Sequence, residues 1–422
     1  MAYSKNEVLK FVSENDVKFI RLAFCDVFGE IKNISIMPRE LPLAFEKGVT
    51  FEASRIPGLA DDGVSELVLR PDPTTITILP WRPQNGRVAR LFCDIMYPDG
   101  RHFESDARWL LAEAGRKFLS MGYTVYAGTE CEFYLFKLDN SGNPTREPLD
   151  KAGYFDVAPK DRGENIRRQI CLSLDEMGIT PEYSHHEKGP GQNEIIFSYA
   201  QLLAAADNFV TYKMAVKSIA GMNGLFASFM PKPLPDWDGS GLHINFSVYK
   251  DGTNLFKNFS EDSTAGSMIA GILNRIREIS LFINPIANSY SRLGNYEAPH
   301  KIDWSLNENS KLIRILCSDS DSARFELRSG DPCFSPYLSM MLIIYAALEG
   351  VEKGEKLTDV SGETRLPVDL GESIECAKNS EFIKAHLPES LLNKYIAGEE
   401  NLWKACQSDV DGNVDNNLFE RL

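Results

Sequence analysis

The chain has 422 residues, 43% of them hydrophobic, with 45 lysines and arginines against 60 aspartates and glutamates, a formal charge of −15. That apolar share can offset the entropy of folding, so a disordered chain is excluded, and the length has room for two domains. An acidic surplus of this size offers no basic face to nucleic acid or to an anionic membrane.

The first residues lack the basic segment and apolar core of a secretory signal. A capping box, Ser4-x-x-Glu7, predicts an amphipathic helix through Val8, Leu9, Phe11 and Val12. Strands are predicted at Val17–Phe24 and Ile31–Met37, joined by a turn at Phe28-Gly29-Glu30. A loop rich in Gly and Asp follows at Gly58–Gly63. Pro71–Met96 reads as strands broken at Pro80 and at Pro83-Gln84-Asn85-Gly86. The turn Pro98-Asp99-Gly100 marks a domain boundary, giving residues 1–100 and 101–422. Helices are predicted near Ser105–Leu119, Asn165–Met177, Leu202–Met222, Ala265–Phe282 and Tyr337–Val351, with short strands between them. The pattern is α+β, with a small, mostly β N-terminal domain. The longest apolar stretch, Met340 to Leu348, is well short of the about 20 residues that span a bilayer. The eight cysteines are scattered without a C-x-x-C pair, which suits buried free thiols in a cytoplasmic protein. The five tryptophans are expected to pack, and His102, His300 and His386 to be ordinary surface or loop residues.

Three strands concentrate polar residues on one face. Two-residue periodicity puts Glu130 and Glu132 together in Gly128–Phe136, and His243, Asn245 and Ser247 together in Gly239–Ser247. It does the same for Arg324, Glu326 and Arg328. Glu187 and Glu194 flank a tight Gly189-Pro-Gly191 loop. Any one such face could simply be the wet side of an antiparallel sheet. If the faces converge, five carboxylates and an imidazole share one space and need counter-charge. Oxygen-rich ligands with one histidine favour Mg2+ or Mn2+. Nearby arginines suit phosphate or carboxylate groups. Those parts fit phosphoryl transfer and a metal-dependent phosphatase equally well.

The motifs resemble the glutamine synthetase family, in its bacterial type I group. They are Gly128-Thr-Glu-Cys-Glu-Phe-Tyr-Leu-Phe136, His185-His-Glu with Gly189-Pro-Gly-Gln-Asn-Glu194, Phe229-Met-Pro-Lys-Pro233, Gly239-Ser-Gly-Leu-His243, Asn288-Ser-Tyr-Ser-Arg-Leu293, Tyr296-Glu-Ala-Pro299, and Arg324-Phe-Glu-Leu-Arg328 with Asp331-Pro332. The resemblance implies a β-grasp N-terminal domain and a larger catalytic domain, in a dodecamer of two stacked hexameric rings with active sites between subunits. It implies that Glu132, Glu187 and Glu194 hold one metal, and Glu130, His243 and Glu326 a second nearer ATP, with two or three Mg2+ or Mn2+ per site. Gly239, Arg292, Arg328, Glu132 and His243 would bind glutamate. Asn245, Ser247, Arg314 and Arg324 would lie at the nucleotide. Glu297 would take a proton from ammonium on a closing flap. Tyr154 and the neighbouring subunit's latch loop would complete the ammonium pocket. His185, beside a matched ligand, is expected to be structural.

Several positions depart from the family. The latch loop, usually Asp-Gly-Ser-Ser, reads Glu52-Ala-Ser-Arg55. The flap is one residue shorter at Gly294-Asn295. Asp238 replaces an asparagine, Asn245 a histidine, Asn309 an arginine and Asp321 a lysine. No adenylylation tyrosine stands near Thr364-Arg365-Leu366-Pro367. Three functions follow in order: a glutamate–ammonia ligase, a ligase for a larger amine, and a structural or regulatory homologue without activity.

Overall fold

The computed structural model describes residues 3–59, 65–317, 322–358, 364–409 and 411–422. The expected loop at Gly58–Gly63 falls mostly outside these residues, as does Asp321. The opening helix, Lys5–Glu14, has both halves of its capping box: Glu7 N donates to Ser4 Oγ and Ser4 N donates to Glu7 Oε2. Strands Val17–Cys25 and Ile31–Ile36 pair antiparallel through a turn built on Asp26. The Asp26 carboxylate accepts from the amides of Phe28 and Glu30, and Gly29 takes φ +82°. The N-terminal sheet continues with Arg87–Met96, parallel to Val17–Cys25, and then with Glu66–Pro71 and Val49–Glu52, while the short strand Thr77–Ile78 pairs with Arg87–Met96 off this path.

The second sheet has eleven strands. Its central path runs Trp304–Leu306, Ile313–Leu316, Arg324–Leu327, Leu242–Lys250, Tyr123–Leu138, Gln192–Phe197 and Pro181–His186. All neighbours on that path are antiparallel except the first pair. The long strand Tyr123–Leu138 is the spine. Its apolar face, with Cys131, Phe133 and Leu135 fully buried, packs into the core. Helix Leu202–Met222 packs on that side, with Tyr212 donating its hydroxyl to Cys131 O, and Pro336–Lys353 packs on that helix and on Thr264–Ile283; all three are apolar around most of their circumference, as buried central helices are. The last two cross closely at Gly271 and Gly350. A Cβ on Gly271 would lie 2.2 Å from the Ala346 carbonyl oxygen.

One continuous core joins both sheets. Arg108 anchors the junction. From its position near the start of helix Ala107–Ser120 it pairs with Asp72 and Asp94 on the N-terminal side and with Asp207 on the catalytic side, at 2.8–2.9 Å. Asp106, the N-cap of that helix, also accepts from Ile95 N.

The five predicted helices are present within two residues of their expected ends. Short helices at Leu41–Lys47 and Ala287–Arg292, and four beyond residue 369, were not predicted. Three smaller expectations need correction. Cys317 is exposed, although four of the other cysteines are buried. Trp237 is half exposed instead of packed. His386 ends a helix, stacks on Tyr345 at 4.1 Å, and is pushed down to about 4, by burial first and then by Lys117. No helix among the described residues is long and apolar enough to cross a membrane.

Candidate active site

The polar faces converge because the strands that carry them are neighbours in register. His243 lies opposite Glu130, Asn245 opposite Glu326, and Glu132 opposite Glu194. On the outer pair, His185 faces Glu194. Two ligand clusters result. In one, Glu130, His243 and Glu326 bring ligand atoms within 4.8 Å of one another; in the other, His185, Glu187 and Glu194 do so.

The first cluster has the expected residues. His243 Nδ1 lies 3.0 Å from Glu326 Oε1 and 3.5 Å from Glu130 Oε2. Arg328 Nη1 donates to Glu326 Oε1 at 2.6 Å, and Arg314 reaches Glu326 Oε2 at 3.4 Å. Burial alone would raise the Glu326 carboxyl, but His243, Arg328 and Arg314 hold it at about 2. Burial and Arg328 press His243 down, yet Glu326 and Glu130 outweigh them and raise it to about 9.

The second cluster holds Glu187 and Glu194, two of the three residues expected together, beside His185. His185 belongs to it, with Nε2 2.6 Å from Glu187 Oε1 and 3.4 Å from Glu194 Oε2. The cross-strand register that sets His185 opposite Glu194 is not visible in the linear sequence. Glu132 borders the cluster. Its Oε2 already accepts from Gly241 N and Gln192 Nε2, both at 2.8 Å. Burial, and then Glu187, push the Glu132 carboxyl up to about 7; burial and Glu132 push Glu194 well up. Several buried carboxylates here are thus short of positive charge. The donor set, carboxylate oxygens with one imidazole per cluster, fits hard divalent cations.

The other candidates lie around this centre. Arg292 is buried and donates to the carbonyls of Ser329 and Arg328 at 3.0 and 3.3 Å. Gly239 must be small, since a Cβ there would lie 2.5 Å from Pro231 O and 3.0 Å from Arg292 Cγ. Arg324 donates to Asn245 Oδ1 at 3.0 Å, and Asn245 Nδ2 donates to Glu130 at 3.1 Å. Ser247 is buried and spends its hydroxyl on the Ala323 carbonyl. Tyr154 is exposed, stacked on Phe155 at 4.1 Å and edge-on to His185. Asn309 is exposed in a turn.

Glu297 lines the same cleft as Glu132, Glu187, His243, Arg292 and Arg328. The single chain does not bring Glu52 there. That residue ends an edge strand of the N-terminal sheet, exposed, and accepts from the Ser54 hydroxyl.

Sequence reasoning missed other residues. Lys188, also in the cleft, forms an ion pair with Glu297. His186 is buried between the Glu187 carbonyl at 2.6 Å and Asp150 at 2.9 Å, and Asp150 also accepts from Gly191 N. This pair fixes the Glu187–Gly191 loop. The quoted His-His-Glu and Gly-Gln-Asn motifs contain or adjoin these residues, so proximity to a motif was the available signal.

Residues 104–414 match the glutamine synthetase catalytic domain and residues 16–98 the glutamine synthetase beta-Grasp domain. The chain belongs to the glutamine synthetase family. It is 41% identical to a glutamine synthetase of Clostridium saccharobutylicum over 99% of both chains, and 44% identical to one of Methanosarcina mazei over 96% of both. The fold is that of two solved structures. One, described as a GmaS/ADP complex, has a TM-score of 0.86 and 24% identity, covering 98% of this chain and 100% of its own. The other, apo GmaS, has a TM-score of 0.85 and 25% identity, covering 95% and 96%. The α+β architecture of a β-grasp sheet and a larger catalytic unit is therefore the glutamine synthetase one, and the family is one of ligases.

Proposed function

We propose that the protein joins glutamate to ammonia in an ATP-dependent reaction through γ-glutamyl phosphate. The observation that carries this reading is the pair of ligand clusters, each of which sends one residue, His243 or Glu187, into a cleft lined also by Arg292 and Arg328. A carboxylate is a poor acyl donor because oxide leaves badly. Taking the γ-phosphoryl of ATP onto the glutamate side chain makes a mixed anhydride, from which phosphate leaves when ammonia attacks. Arg292 and Arg328 orient the glutamate, and Arg314 and Arg324 face the phosphates. Glu297 accepts the proton shed by ammonium and closes the cleft, excluding the water that would hydrolyse the anhydride. Glu130, His243 and Glu326 would hold one divalent cation, and Glu132, Glu187 and Glu194, with His185 alongside, another. Such cations, two or three in all, neutralise phosphate charge when bound.

The domain division near residue 100, a dodecamer in the cytoplasm, and Glu52 and Arg55 reaching a neighbour's ammonium pocket belong to the same proposal. Purified protein with Mg2+, ATP, glutamate and ammonium should release phosphate and form glutamine. Glu326→Ala should reduce the rate at least about a hundredfold, since it strands His243 and Arg328 without their shared anion. Failure of the wild type to make glutamine overturns the reading.

A second reading, a ligase for a larger amine, is favoured by Arg55 in the latch loop and by likeness to the GmaS fold. A screen of amines for phosphate release decides it: no amine outperforming ammonia would rule it out. Detectable turnover lost in Glu326→Ala disposes of an inactive homologue.

A further inference from the structure

The cleft already contains an ammonium group of its own. Lys188 Nζ is ion-paired with Glu297, the carboxylate that takes the acceptor's proton in the reaction proposed above. Both partners are held from behind. Lys188 directly follows Glu187, whose amide donates to Gln192 O at 2.8 Å, and Lys188 N donates to Glu187 Oε2 at 3.2 Å. The cation therefore hangs from the rigid base of the Gly189–Gly191 loop. On the other side, Glu297 sits in a turn closed by Gly294 N to Ala298 O and Ala298 N to Asn295 O, both at 3.1 Å. Its neighbour Tyr296 donates its hydroxyl to Asp236 O at 2.8 Å and carries Lys232 Nζ 4.4 Å from its ring centroid. The flap is thus tethered where Lys188 can reach it.

A lysine head and free ammonium are the same kind of group: compact, strongly hydrated and limited to donating. One carboxylate seat cannot serve both at full strength. We propose that Lys188 competes with the acceptor: its side chain occupies the acceptor seat on Glu297, so that incoming ammonium must displace it. The residue sets how much ammonium the cleft needs before amide formation runs. This inference rests on the cleft being an amide-forming site.

The pair is half exposed, with side-chain exposures of 44% and 62%, so its displacement costs the modest amount typical of surface ion pairs. The test is steady-state phosphate release with Mg2+, ATP and glutamate, varying ammonium or glutamate in turn, for the wild type, Lys188→Ala, Lys188→Met and Lys188→Arg. Removing the charge should lower KM for ammonium roughly two- to fivefold and leave KM for glutamate where it was. Lys188→Arg, which restores the cation, should return KM for ammonium toward the wild-type value. An ammonium KM that is unchanged or higher in both uncharged variants overturns the inference while leaving the proposed function standing. An equal fall in both KM values also overturns it, because that marks a general loosening of the flap. A wild type that turns over neither ammonium nor any amine overturns the proposed function, and this inference with it.

Discussion

Gly239 shows how little freedom the substrate cleft has at single residues. Its missing side chain is what lets the Pro231 carbonyl and the Arg292 stem lie against the same backbone. Gly239→Ala should displace Arg292 and lower kcat/KM about ten- to a hundredfold with the fold intact, checked by kinetics beside circular dichroism. The site was partly legible in the sequence. Strand periodicity marked the separate polar faces that carry Glu130, His243 and Glu326, and the family resemblance grouped these three as one ligand set. The surroundings of residues whose placement depends on which segments meet were not legible. His185 is aligned with Glu194 by a hairpin register, and Lys188 meets Glu297 across more than a hundred residues. Glu52 raises a different difficulty, since its proposed partners lie on another chain.

At the scale of elements, the tightest contact is the crossing of Thr264–Ile283 with Pro336–Lys353. Glycine at 271 and 350 lets the two backbones touch. Gly271→Ala should destabilise the protein by about 1–3 kcal/mol, since a methyl group there has no space to enter, and a lowered thermal midpoint would register it. The long central helices were readable from composition alone. The C-terminal ones were not, because each is shorter or more polar, although caps announce two of them: Asp369 accepts from Glu372 N and Ser380 from Ile383 N.

The helix Glu389–Gln407 also buries Glu399, with one carboxylate oxygen lacking a hydrogen-bond partner among the described residues. Burial pushes that carboxyl up to about 8, opposed by Arg421. The folded state therefore binds more protons than the unfolded state between the ordinary glutamate value and about pH 8, and stability falls as pH rises through that window. Glu399→Gln should flatten this fall. Thermal midpoints of variant and wild type should agree near pH 5 and diverge in the variant's favour above pH 8.

For the whole molecule, the charge of −15 divides into solvated surface and an inward share at Glu130, Glu132, Glu187, Glu194 and Glu326. In the proposed function that inward share is where cations bind. Mn2+ at a hundred times its dissociation constant should add about 2.7 kcal/mol of stability, and a chelator should remove it. A thermal-shift titration checks this, and Glu326→Ala should shrink the response.

The three carboxylates around Arg108 have a consequence for anyone recombining relatives of this protein. Two of its partners come from the first hundred residues and one from the helix Leu202–Met222. A chimera spliced near residue 100 therefore inherits a guanidinium from one parent and most of its anions from the other. Such hybrids should fold only when both parents supply matching acids, so the seam most obvious for cutting is the one least tolerant of exchange.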